Sequence, residues 1–69
     1  MKEKGTVKWF NAAKGYGFIA QEGGPDVFVR ISTVERANLG TLREGQRVRY
    51  ESVQDANGRV AAENLSSVG

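Results

Sequence analysis

Residues 14–30, KGYGFIAQEGGPDVFVR, contain two short strand-like segments joined by a turn. The segments YGFIAQ and DVFVRI are rich in aromatic and β-branched residues, which favour strands. The segment EGGP between them has the composition of a turn. The stretch therefore predicts a β-hairpin.

The alternation of side chains in this hairpin separates the aromatic rings from the valines. Successive residues of a strand point to opposite faces of the sheet. If Val27 and Val29 are buried, Phe28 lies on the outer face, and Tyr16 and Phe18 lie there by the same alternation. We therefore expect three exposed rings on neighbouring strands.

The rest of the chain predicts three more strands: GTVKWFN (5–11), QRVRYESV (46–53) and RVAAENL (59–65). An Asn-Gly turn separates the last two. Between the third and fourth strands, Ser32 and Glu35 have the spacing of a capping box, which predicts one helical turn that begins at Ser32.

Five strands without a long helix predict an all-β protein, either a small barrel or a sandwich. The chain of 69 residues is short enough for one domain only. The predicted core consists of the inward residues of the strands, which are Val7, Ile19, Val27, Val29, Val48, Val60 and Leu65.

Composition excludes several classes of function. The chain has no Cys and no His, so the usual zinc ligands, general base and thiol nucleophile are missing. No catalytic constellation, cofactor motif or metal site is predicted. The N-terminal residues lack the apolar stretch of a secretory signal, and no segment has transmembrane length. We expect a cytoplasmic protein that is not an enzyme and has no small-molecule substrate.

Positive charge and aromatic rings are concentrated together near the N-terminus. The net charge is +2, but residues 1–20 carry four Lys against one Glu, while residues 21–69 carry six Arg against seven Asp and Glu. Rings that stack on bases, beside lysines that neutralise phosphates, are typical of binding to single-stranded nucleic acid. The alternative is a small β-barrel interaction module that binds a peptide on the same face.

The segment KGYGFI also matches most of the RNP1 pattern, although Gln21 stands where the last aromatic residue is expected. An RRM needs two helices that this sequence does not predict. Instead GTVKWFNAAKGYGFI, followed by DVFVRIS, LREGQRVRYE and AAENL, closely resembles the cold-shock domain from about Gly5 to Leu65.

The resemblance implies a five-stranded antiparallel OB-type barrel over residues 1–69, with its core at about 5–65. It also implies binding of single-stranded RNA and DNA, melting of RNA secondary structure as a chaperone, and a role in adaptation to cold or growth state. We expect a monomer. The binding residues implied by position are Lys8, Trp9, Asn11, Lys14, Tyr16, Phe18, Phe28 and Arg30, with Arg59 at the rim.

The chain differs from simple strand alternation at Trp9 and from the family pattern at three positions. Strict alternation places Trp9 on the buried face of Val7, whereas the resemblance places Trp9 outside and turns Phe10 away, so we expect a β-bulge near Lys8. The family also has a histidine, a phenylalanine and often a second phenylalanine at three positions that differ in this chain. Those positions are held here by Arg30, Ile31 and Leu39. The sequence therefore predicts weaker and more salt-dependent binding.

Overall fold

The computed structural model describes residues 3–68, which form five strands and one short helix. The elements are β1 (Glu3–Asn11), β2 (Tyr16–Ala20), β3 (Val27–Arg30), α1 (Ile31–Arg36), β4 (Arg47–Gln54) and β5 (Val60–Ser67). Every predicted strand is present, so the all-β prediction is confirmed. Within the described range no helix is long and apolar enough to cross a membrane.

The strands close into a barrel in the order β1-β2-β3-β5-β4, with β4 paired back to β1. Four of the five pairs are antiparallel, but β3 and β5 are parallel where Phe28 faces Ala61. The barrel is otherwise antiparallel, so the predicted five-stranded OB-type barrel is confirmed. Because the number of strands is odd, their directions cannot alternate all the way around a closed ring.

A β-bulge in β1 separates the two faces as expected. Val7 pairs with Ile19, but the next register pair is Trp9 with Phe18, which leaves Lys8 as the extra residue. Val7 is consequently buried while Trp9 is 37% exposed. Phe10 turns inward and packs against the core, as the resemblance implies.

The barrel interior contains six of the seven predicted core residues, and Val60 is only half-buried at its margin. Strand alternation missed Val34 and Leu42, because the segment between β3 and β4 has no period of two. Tyr50 is completely buried as well, and its hydroxyl donates to Oε1 of Gln21 over 3.5 Å.

The helix differs from its prediction at the start. Arg30 is the N-cap residue and Ser32 already lies inside α1, so the predicted capping box is wrong, and no side chain caps the helix. Burial of Thr33 and Val34 fixes the helix instead. Its end is a Schellman motif, in which Asn38 adopts a left-handed φ of 59° and its N–H donates to the Glu35 carbonyl.

Candidate nucleic-acid interface

Four aromatic rings contact one another on the outer face of β1, β2 and β3. The ring centroid of Trp9 lies 5.4 Å from those of both Tyr16 and Phe18. Phe28 lies 5.6 Å from Phe18 and 5.7 Å from Tyr16, with the latter pair stacked at 26°. We call Trp9, Tyr16, Phe18 and Phe28 the ring cluster. The predicted placement of all four on one face is confirmed.

Gly17 allows β1 and β2 to approach closely beneath the ring cluster. A Cβ atom at this position would lie 2.7 Å from Cα of Phe10 and would also contact the carbonyl oxygen of Trp9. Both neighbours are backbone atoms, which cannot rotate away. A side chain at position 17 would therefore push apart the strands that carry Trp9, Tyr16 and Phe18.

The turn between β1 and β2 determines the position of two predicted binding residues. Oδ1 of Asn11 accepts a hydrogen bond from the Lys14 N–H at 3.0 Å, and the carbonyl oxygen of Asn11 accepts one from Gly15 at 2.8 Å. Gly15 has a φ of +84°, which favours glycine. Asn11 thus organises the turn, and Lys14 is exposed at its end.

Phe28 lies on the predicted face but is not exposed there. Only 8% of its surface is accessible, because Tyr16 and Phe18 pack beside it and two guanidinium groups cover it. The Cζ atoms of Arg30 and Arg59 lie 5.0 and 4.9 Å from its ring centroid. The expectation that Phe28 is an open stacking surface is therefore wrong for the unbound protein, since both arginines must shift before a base can stack on it.

Asp55 connects these arginines to the β4–β5 hairpin. Its Oδ1 accepts hydrogen bonds from the N–H groups of Asn57 and Arg59, each at 2.9 Å. Its Oδ2 lies 3.8 Å from Nη2 of Arg30. Gly58 has a φ of 80° and donates to the Asp55 carbonyl oxygen at 2.9 Å, which completes the loop. One carboxylate therefore shapes the hairpin and partly neutralises Arg30.

A second carboxylate neutralises Lys8. Its Nζ lies 3.0 Å from Oδ2 of Asp26, and both side chains are substantially exposed. Exposed ion pairs of this kind contribute at most about 1 kcal/mol. A phosphate can therefore replace Asp26 as the partner of Lys8 at little cost.

The two remaining departures from the family pattern lie in different places, and only Ile31 is close to the ring cluster. Ile31 begins α1, is half-buried, and donates its N–H to the Gly15 carbonyl oxygen at 2.9 Å. Leu39 is half-buried and packs against the barrel core.

The structure brings together most of the predicted binding residues around the ring cluster, with Asn11 and Lys14 at one end of it. Sequence reasoning missed Asp26 and Asp55, the two carboxylates that face the cationic side chains. Asp55 lies two residues before the predicted Asn-Gly turn that separates the last two strands. Its pairing with Arg30 joins positions that are distant in sequence, so no local pattern indicated it.

The face presents flat rings flanked by cationic groups, which can stack bases and bind phosphates. Within residues 3–68 no cluster of side chains has the composition of a metal site. The chain matches the 'Cold-shock' DNA-binding domain over residues 3–68. It belongs to the cold-shock domain family. Members of this family bind nucleic acids and are not enzymes, in agreement with the function class predicted from the sequence.

Curated cold-shock proteins are similar to this chain along nearly its whole length. Probable cold shock protein y4cH of Sinorhizobium fredii is 54% identical over 97% of this chain and 100% of its own. Cold shock protein CspA of Rhizobium meliloti is 54% identical over 88% of this chain and 91% of its own. Cold shock protein CspC of Bacillus subtilis is 52% identical over 87% of this chain and 91% of its own.

Proposed function

We propose that this cold-shock domain binds single-stranded RNA and DNA by stacking bases on the ring cluster. The observation that carries the proposal is the contact of four rings on one outer face, with Trp9 37% exposed among them. Each stacked base contributes about 1–3 kcal/mol and needs no particular sequence. Lys8, Lys14, Arg30 and Arg59 contact the phosphates between stacked bases.

The same geometry supports an RNA chaperone that melts secondary structure. Bases in a duplex have no free faces for the ring cluster, so binding selects unpaired nucleotides and shifts the equilibrium toward them. Stacking and phosphate contacts are non-covalent and reversible, so release of the strand needs no nucleotide hydrolysis. The pairings with Asp26 and Asp55 re-form when the strand leaves. The role in cold or growth-state adaptation, the cytoplasmic location and the monomeric state remain predictions.

Quenching of Trp9 fluorescence by dT and U oligomers is the direct test. Trp9 is the single tryptophan of the chain, so its emission reports on the ring cluster alone. We expect quenching at low salt, with a log-log salt slope of roughly −2 to −3 for three or four phosphate contacts. Electrophoretic mobility shift with labelled oligomers provides a measure of binding that does not depend on Trp9 fluorescence.

Two results would count against this function. Unchanged emission together with no mobility shift would remove it. Binding of a proline-rich peptide to the ring cluster, without any salt dependence, would favour the interaction module instead. The cationic side chains around the rings argue against that alternative, since such a peptide has no phosphates for them to bind. Melting of a labelled RNA hairpin by the protein, lost in Phe18→Ala, would test the chaperone role separately.

A further inference from the structure

Three cationic side chains share the outer face of the β1–β4 pair, away from the ring cluster. Lys4 lies directly opposite Arg49. Arg47 lies two residues before Arg49 in β4, on the same face, opposite Thr6. All three cationic residues are exposed. Their neighbours in the strands, Val48 and Tyr50 among them, point into the barrel. We call Lys4, Arg47 and Arg49 the basic surface.

The basic surface is electrostatically unfavourable in the free protein. Like charges directly opposite each other on antiparallel strands destabilise a sheet. Within residues 3–68 none of its three side chains forms an ion pair. Two carboxylates in the same strands bind neutral partners instead, since Glu3 accepts a hydrogen bond from the Ser52 hydroxyl and Glu51 accepts one from the side-chain amide of Asn64. The arrangement is suited to an anionic partner that supplies the missing countercharge.

The basic surface is continuous with the ring cluster along β1. The outer face of this strand carries Lys4, Thr6, Lys8 and, after the bulge, Trp9. Lys4 and Trp9 are five positions apart in β1, which corresponds to roughly 15 Å of extended strand. A stacked single strand covers that distance in about five nucleotides at 3.4 Å each.

We propose that the basic surface is a second phosphate-binding site, which holds the backbone of a single strand that continues past the ring cluster. This inference rests on the proposed function. Its three side chains supply charge but no ring, so they bind phosphates without reading bases. The site lengthens the bound strand from the few nucleotides stacked on the rings to roughly ten, within the range known for OB folds.

Oligomer length separates the two sites experimentally. We expect Arg49→Gln to leave the affinity for dT5 unchanged, because five nucleotides are held by the ring cluster alone. For dT15 at 50 mM salt, loss of one phosphate contact should lower affinity about eightfold and flatten the salt slope by about 0.7. Arg49→Lys keeps the charge and should bind dT15 like the wild type.

Arg36→Gln is the matched control, because it also removes one positive charge but acts on α1, where Arg36 lies 3.7 Å from Glu63. It should change neither affinity. Thermal unfolding of the free proteins provides a second readout. Arg49→Gln should raise Tm by relieving the repulsion from Lys4, so that weaker dT15 binding cannot be attributed to partial unfolding.

Three outcomes would overturn the inference. These are equal affinity of Arg49→Gln and the wild type for dT15, an equal loss for dT5 and dT15, and an equal loss of dT15 affinity in Arg36→Gln. Binding of a poly-glutamate peptide that Arg49→Gln abolishes, with dT15 affinity intact, would assign the basic surface to an acidic protein partner instead. Failure of the wild type to bind dT5 would count against the proposed function itself.

Discussion

The carboxylate of Asp55 lies 3.8 Å from the guanidinium of Arg30, which in turn covers the ring of Phe28. Asp55 is largely buried and also fixes the hairpin that carries Arg59. The protein therefore holds an internal acceptor at the place where a phosphate of a bound strand would pair with Arg30. Under the proposed function, a phosphate that pairs with Arg30 would have to displace Asp55, which would weaken affinity and favour rapid release.

Asp55→Asn should tighten binding to dT5. The amide keeps an Oδ1 acceptor for the N–H groups of Asn57 and Arg59, so the hairpin is retained. Arg30 loses its internal countercharge and becomes available to a phosphate. We expect a several-fold gain in affinity at low salt and a slope steeper by up to about 0.7, measured by Trp9 quenching.

The control for this substitution is Glu63→Gln, which removes one negative charge from the ion pair with Arg36, away from the rings. An equal gain in both variants would show that net charge alone raises the affinity and that the Arg30–Asp55 pair does not limit it.

Phe18→Leu and Val29→Ala should separate binding from stability. The leucine side chain in Phe18→Leu keeps apolar contacts on the outer face but lacks the flat ring, so oligonucleotide affinity should fall by about 1–3 kcal/mol with little change in unfolding. Val29 is completely buried, and Val29→Ala should lower the free energy of unfolding by about 2 kcal/mol. Urea titration and Trp9 quenching measure the two effects, and the opposite pattern would invert the assignment of faces.

Ile31→Phe should tighten binding to a short pyrimidine strand. Position 31 is half-buried beside Gly15, which directly precedes Tyr16, the first residue of β2. A ring at this position should therefore extend the ring cluster. One additional stacked base corresponds to a gain of about fivefold to more than a hundredfold. Ile31→Leu adds no ring and is the control. Unchanged affinity for Ile31→Phe would mean that its side chain packs beneath the face rather than on it.

Tyr50→Phe should reduce the loss of stability at alkaline pH. Burial, and next the negative charge of Glu3, raise the pKa of Tyr50 above its usual value of 10.0. Below that value the hydroxyl is protonated in both states. As pH rises above it the unfolded chain releases the proton first, so the free energy of unfolding falls until the folded pKa is passed.

Urea unfolding of the wild type and Tyr50→Phe at about pH 8 and at about pH 11, on either side of the ordinary tyrosine pKa, measures this contribution. The wild type should lose more stability over that interval than the variant. The comparison between the two proteins cancels the titration of the lysines, which is common to both. Equal losses would show that Tyr50 ionises as readily in the folded barrel as in the unfolded chain.

Local sequence patterns were sufficient to assign the strands and most of their faces. Alternation of valines and rings in residues 14–30 is a local property, because neighbouring side chains of a strand point in opposite directions wherever that strand is placed. Val7, Ile19, Val27 and Val29 could therefore be assigned to the core. The inward turn of Phe10 needed the family resemblance, since a bulge interrupts the alternation.

The accessibility of these groups, and the neutralisation of their charges, depend on contacts that form in the folded barrel. The cover of Phe28, the pairing of Arg30 with Asp55 and the opposition of Lys4 and Arg49 each join residues from different parts of the chain. The parallel β3–β5 pair and the burial of Val34 likewise depend on how the chain closes into a barrel. Such contacts are set by strand order and register around the ring, which no local pattern of residues encodes.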